Sequence, residues 1–264
     1  MAASTLASAT GDLNRALRLN HVWFFQAYHA ISAKYRRSVL GPFWLAGSMV
    51  ATSLALAVVF GGLFGQSLRE TLPFIMAGIL SWSLVSMPIG EGPETFVGFA
   101  GIIKNNNFPF MYYVFELVCR NLIILMHNVL VYFVVILLVG GYHGFHWSIL
   151  FSLPLITINV ILYCPLIGMF AARYRDIRFL FPYLGQMLFF MTPIFWDAKG
   201  LHGARALIAA YNPLYHLIQV MRQPLLGAAA SAVDWGASVL VALVGLALWV
   251  FFFRSYRHRI PFWV

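Results

Sequence analysis

The sequence predicts an all-α integral membrane protein: six transmembrane helices, an N-terminal amphipathic helix at the membrane surface, and short re-entrant outer helices between spans five and six. Three observations carry this expectation. Hydrophobic residues make up 61% of the 264 and charged residues 9%, far from the shares of a soluble domain. Six apolar runs (43–64, 72–88, 117–140, 149–172, 179–196 and 237–253) approach the roughly 20 residues needed to cross hydrocarbon. With the N-terminus placed in the cytoplasm, only Arg69, Lys199, Arg205 and Arg222 of the 17 basic residues fall outside, the asymmetry that orients membrane proteins. An even number of spans then puts both termini on the cytoplasmic side, in a bacterial inner membrane.

The net charge of +9 would suggest nucleic acid in a soluble chain. Here the basic residues gather at helix ends, where anionic lipid explains them better, and no nucleic-acid partner is expected. Cys119 and Cys164 lie in apolar runs without metal or redox spacing and read as small buried hydrophobes. Met1–Asn20 lacks the apolar core of a secretory signal. It is rich in Ala, Ser and Thr with Arg15 and Arg18, so an organelle transit peptide is the alternative to targeting by the first span. Residues 1–42 form a cytoplasmic segment, and 43–264 form one transmembrane domain without internal repeats.

From Leu13 to Ser32, Leu13, Leu17, Phe24, Tyr28 and Ile31 fall in one sector at about 100° per residue, opposite Arg15, Arg18, Gln26, His29 and Ser32. That pattern belongs to an interfacial helix. A basic collar at Lys34–Arg37 and the turn at Gly41–Pro42 lead into span one. The cytoplasmic connection Gly90–Tyr113 holds an apolar helical piece, Thr95–Ile103, ended by Lys104 and Asn105–Asn107. It reads either as a docking knob for a partner or as a second surface helix. In the fifth run a charged cluster, Arg173, Arg175, Asp176 and Arg178, abuts the aromatic stretch Phe179–Trp196. Pro182 and Pro193 predict bends at both ends of that helix. The outer connection Asp197–Asp234 is apolar for a loop. Its pieces Leu207–Ala210 and Leu214–Val220 are too short to span, so they read as re-entrant helices or as an ordered outer cap.

Few residues offer chemistry. Glu116 and Arg120, four apart near the inner end of span three, are spaced for a structural ion pair. His127 and Asn128 fit interhelical hydrogen bonding. His143 and His146 lack a neighbouring carboxylate or thiol, so no metal site is expected. No span carries the central acid of a proton- or sodium-coupled carrier. No lysine stands in a GxxxxGK[ST] frame, so an ATPase would be a separate chain. Asp176, Asp197 and Asp234 are isolated, unlike the Mg²⁺-binding acids expected of an enzyme acting on lipid phosphates.

Five stretches in sequence, KYRRSVLGPFW (34–44), GIIKNNNFPF (101–110), RYRDIRF (173–179), MTPIFW (191–196) and YNPLYHLI (211–218), resemble the ABC-2 permeases, the membrane subunits that export O-antigen, capsule or teichoic acid chains. Asn105–Asn107 departs from the more basic run of the pattern. The resemblance implies a non-enzymatic homodimer working with two ATP-binding subunits, with ATP and Mg on those subunits and no cofactor on this chain. It implies that Phe96, Phe99, Ile102, Ile103 and Lys104, with the N-terminal helix, contact the ATPase. Tyr211, Tyr215 and His216 would belong to an outer gate. A lipid-linked polysaccharide would pass between the two copies, and Phe179, Phe181, Tyr183, Phe189, Phe190, Phe195 and Trp196 could offer ring faces to sugars. Lipid contact or core packing is the alternative role for these aromatics. An ABC-2 exporter of drugs or small lipids, or an ATP-independent channel or carrier, is the alternative function.

Overall fold

A computed structural model of the chain describes residues 2–36, 38, 41, 43–140, 144–196, 207 and 209–264, with side chains from Ala9 onward. The regular elements among these residues are all helical: α1 (Ala2–Arg18), α2 (Asn20–Lys34), α3 (Phe43–Phe64), α4 (Leu68–Val85), α5 (Met87–Gly90), α6 (Glu94–Val97), α7 (Ala100–Asn105), α8 (Phe110–Val139), α9 (Ile149–Arg173), α10 (Ile177–Met191), α11 (Pro213–Leu225), α12 (Ala232–Tyr256) and α13 (Ile260–Trp263). A 3₁₀ turn at Arg257–Arg259 joins the last two.

Among the described residues five helices are long and apolar enough to cross a membrane: α3, α4, α8, α9, and α12 with its extension to Trp263. The fifth expected span, 179–196, is instead a 15-residue helix, α10. At 1.5 Å per residue it measures about 22 Å, short of the roughly 30 Å hydrocarbon core. Pro193 explains the early end, because it has no N–H with which to continue the ladder. The chain then runs through Thr192–Phe195 as buried, non-helical backbone.

The helices meet through small residues and glycines, as apolar helices in lipid do. Ala46, Met49, Ser53, Ala57 and Gly61 form the buried stripe of α3, which packs on α4. The first third of α8 is buried on every side from Met111 to Cys119, covered by α1, α2 and α6. Such all-round burial is why that segment lacks an amphipathic pattern. The α9–α12 pair closes tightly where Tyr163 lies against Gly245: a Cβ at that glycine would stand 2.8 Å from the ring.

The N-terminal segment departs from the single helix expected over 13–32. It breaks at Leu19, and the indole of Trp23 donates to Ala16 O at 3.1 Å across the corner. The buried residues are Ala9, Asp12, Ala16, Ala27 and Ile31, while Leu17, Phe24, Phe25 and Tyr28 are exposed. The apolar sector read from the sequence is therefore divided, with Ile31 turned into the bundle and Leu17, Phe24 and Tyr28 turned away from it.

Candidate functional site

At the end of the bundle where α4 leaves and α8 begins, the strap α5–α6–α7 crosses the mouths of α8, α9 and α10. Gly168 on α9 admits it. A Cβ there would stand 3.0 Å from Thr95 and 3.1 Å from Gly92 O. Two ion pairs fasten the strap. Glu91 accepts from Arg120 at 2.9 Å and from the Asn121 amide at 3.1 Å. Glu94 accepts two bonds from Arg178, at 2.7 and 2.9 Å, the paired geometry that fixes direction as well as distance. Arg178 is the second residue of α10, so the strap is tied directly to the base of the aromatic helix.

The expected partner of Arg120, Glu116, stands farther off at 3.7 Å. The ion pair read from the i, i+4 spacing is thus a three-membered cluster with Glu91 as the closest acid.

The five residues expected to face an ATPase divide in this structure. Phe96 is fully buried and Ile103 nearly so, with Phe96 edge-on to Phe110 at 6.2 Å. Phe99 is half-buried against Tyr113, centroids 5.2 Å apart. Ile102 and Lys104 are exposed, together with Asn105–Asn107. The free face of the strap is therefore the tip of α7.

None of the α10 residues is buried. Phe179, Tyr183, Met187 and Phe190 are exposed and follow one another at helical spacing, forming one open stripe. Phe181 and Trp196 are half-buried. Phe189 packs against Trp82 at 5.7 Å. Phe195 is buried and lies 4.8 Å from Phe60. Of the aromatics proposed for a sugar path, Tyr183, Phe190 and Phe179 are open, and the others serve packing wholly or in part.

On the opposite end, α11 is inserted among α4, α9 and α12. Its Arg222, counted among the outer basic residues, is 1% exposed. The guanidinium donates to Pro193 O at 2.6 Å and Ile194 O at 3.2 Å, and stacks on the Phe74 ring at 4.5 Å. Irregular backbone at membrane depth persists where protein satisfies its carbonyls. Gly78 lets the segment lie against α4, since a Cβ there would meet Ile194 O at 2.6 Å.

Of the outer-gate residues, Tyr211 is 81% exposed. Tyr215 accepts from the Gln219 amide at 2.7 Å. His216 is buried, with one ring nitrogen 2.7 Å from Asp234 and the other 2.9 Å from Ala210 O.

A further clamp, between α1 and α8, leaves no spacing pattern in the sequence. Pro109 occupies the cap position of α8 and supplies no side-chain cap. The Asp12 carboxylate of α1 takes that place, accepting from Phe110 N at 3.1 Å and Met111 N at 3.0 Å. Arg15 and Arg257 each stand 3.8 Å away. Burial pushes the Asp12 carboxyl above its ordinary value, against the pull of the two N–H groups and the two arginines. The available signal was that Asp12 is the only acid before Glu70.

Among the described residues no three His, Cys, Asp or Glu side chains converge as a metal site would require. Asp197, Lys199, Arg205 and His143 lie outside the described residues, as do Arg37 of the collar, Pro42 of the turn into span one and Ile208 of the first outer piece.

The described residues thus form a helical bundle with five helices long and apolar enough to cross a membrane, fastened by ion pairs at one end and by a buried arginine at the other. The chain belongs to the ABC-2 type transporter family, whose pattern it matches over residues 26–226. Two proteins of Klebsiella pneumoniae, each named O-antigen export system permease protein RfbA, are 22% identical to it over 242 residues, covering 87% of this chain and 89% of theirs.

Proposed function

We propose that this chain is the membrane subunit of an ATP-driven exporter that carries a lipid-linked polysaccharide of O-antigen type across a bacterial inner membrane. It works as a homodimer with two separate ATP-binding subunits, which hold ATP and Mg. Both termini lie in the cytoplasm, which requires α10 and the non-helical stretch that follows it to complete a sixth crossing together. The observation that carries this reading is the near full-length similarity to the two O-antigen export permeases. The open aromatic stripe of α10 supports it, because ring faces stack on sugars of many kinds without selecting one.

The strap supplies a route for coupling. Closure of the ATP-binding subunits presses on Ile102 and Lys104 at the tip of α7. The paired hydrogen bonds between Glu94 and Arg178 pass that displacement to the base of α10, and Glu91 with Arg120 fixes the pivot on α8. Two α10 helices moving apart across the dimer then open the passage. The test is ATP-dependent translocation in vesicles that contain the chain with its ATP-binding partner. Transport of the glycan lipid only with hydrolysable ATP supports the reading, and equal transport without ATP overturns it.

A further inference from the structure

Between α9 and α12–α13 a cleft of about 600 Å³ opens toward the end of the bundle that carries both termini. Its walls are apolar and aromatic, including Leu166, Phe170, Leu248 and Phe252, and its rim carries Arg173 and Arg259. Neither arginine has a carboxylate partner among the described residues. Aromatic rings steer both: Arg173 lies over Trp263 at 5.9 Å and Arg259 over Tyr256 at 5.5 Å. Tyr163 closes the floor, where its hydroxyl donates to Val241 O at 3.0 Å and its ring meets Gly245.

The depth of the cleft is informative. From Tyr163 at the floor to Arg173 at the rim, α9 rises about 15 Å at 1.5 Å per residue. That is half of a hydrocarbon core about 30 Å thick, the depth of a single leaflet.

We infer that this cleft is a binding site for an anionic glycerophospholipid of the cytoplasmic leaflet, with the phosphate held between Arg173 and Arg259 and the acyl chains lying along the cleft to Tyr163. An apolar wall alone would accept any lipid. Two guanidiniums at the mouth select a negative headgroup, as basic pockets between helices on the cytoplasmic side do. A bound lipid would also cover the exposed ring of Phe252 and wedge the inner ends of α9 and α12 at a fixed separation. The inference rests on the cytoplasmic orientation proposed above, and its test needs neither ATP nor the transported glycan.

The full chain, purified in mild detergent together with whatever subunits accompany it, is exchanged into mixed micelles of phosphatidylglycerol and phosphatidylcholine. Native mass spectrometry then counts the phospholipid retained per chain. The expected result is one phosphatidylglycerol retained in preference to phosphatidylcholine. At about the affinity contribution of two basic side chains, the R173Q/R259Q double variant should bind it roughly thirtyfold more weakly. L248W, which fills the cleft and keeps both charges, should lose the lipid as well. To separate binding from misfolding, added phosphatidylglycerol should raise the thermal midpoint of the wild type and leave that of folded R173Q/R259Q unmoved. Equal retention of the two lipids, or an undiminished phosphatidylglycerol signal in both variants, would overturn the inference.

Discussion

Asp12 shows how much one side chain can fasten. It crosses from α1 to hold the first two amides of α8, a position where the positive end of the helix favours an anion. D12A should lower stability by about 1–2 kcal/mol, the usual cost of a lost cap, read as a fall in the thermal midpoint in detergent. D12N keeps a single acceptor oxygen and should fall between. The folded-state carboxyl titrates above its ordinary range because of burial. A raised value means the folded state binds the proton more tightly, so Asp12 contributes most at low pH and less as pH rises through that raised value. The midpoint of D12N relative to wild type should therefore improve with rising pH in that window. A difference that narrows on acidification only because both proteins unfold would not count, and a trend of opposite sign would contradict the account. Arg222 plays the matching part at the other end. R222A removes donors from two buried carbonyls and should cost about 3 kcal/mol. R222K, a point donor without the fork, should recover only part of that loss. Neither residue's role was legible from the sequence. Spacing reveals partners three or four residues apart, whereas Asp12 and Met111 lie 99 positions apart.

Among the elements, the strap α5–α7 and the helix α10 carry the proposed coupling. I102D alters an exposed tip and should leave insertion and folding intact while abolishing transport driven by the ATP-binding subunit, measured as glycan export beside ATP hydrolysis. Phe96 would be a poor choice for the same test, because it is fully buried and a charge there would disturb folding first. The Glu94–Arg178 tie admits a cleaner design. E94R and R178E should each reduce export several-fold, and the E94R/R178E exchange should restore part of it, since a coupling energy in the cycle isolates the pair. Additive losses would remove the tie from the coupling route. The sequence located this strap as a helical piece between two spans but not its orientation, because Phe96, Phe99, Ile102 and Ile103 are all apolar and only the packing against Gly168 and Tyr113 decides which turn inward. The length of α10 differs from the expected span for a related reason. Composition stays apolar through Trp196, yet Pro193 and the arginine of a distant helix convert the last residues into buried irregular backbone.

For the whole molecule, the apolar runs were legible because they depend on bulk transfer into lipid and on little else. Five of the six expected spans appear as helices of sufficient length and composition. The proposed orientation predicts that single cysteines placed at Ser255 and Asn106 react only from the cytoplasmic side, and one placed at Tyr211 only from the opposite side. Labelling of all three from one side would contradict it. The larger claim is that this bundle is half of a machine whose motor is another chain. The most direct measurement is purification from native membranes in mild detergent, with mass spectrometry of what accompanies the chain. The account predicts a stoichiometric subunit carrying a GxxxxGK[ST] phosphate-binding loop. A chain that comes away alone, and that moves or modifies a substrate in liposomes without ATP, would contradict it.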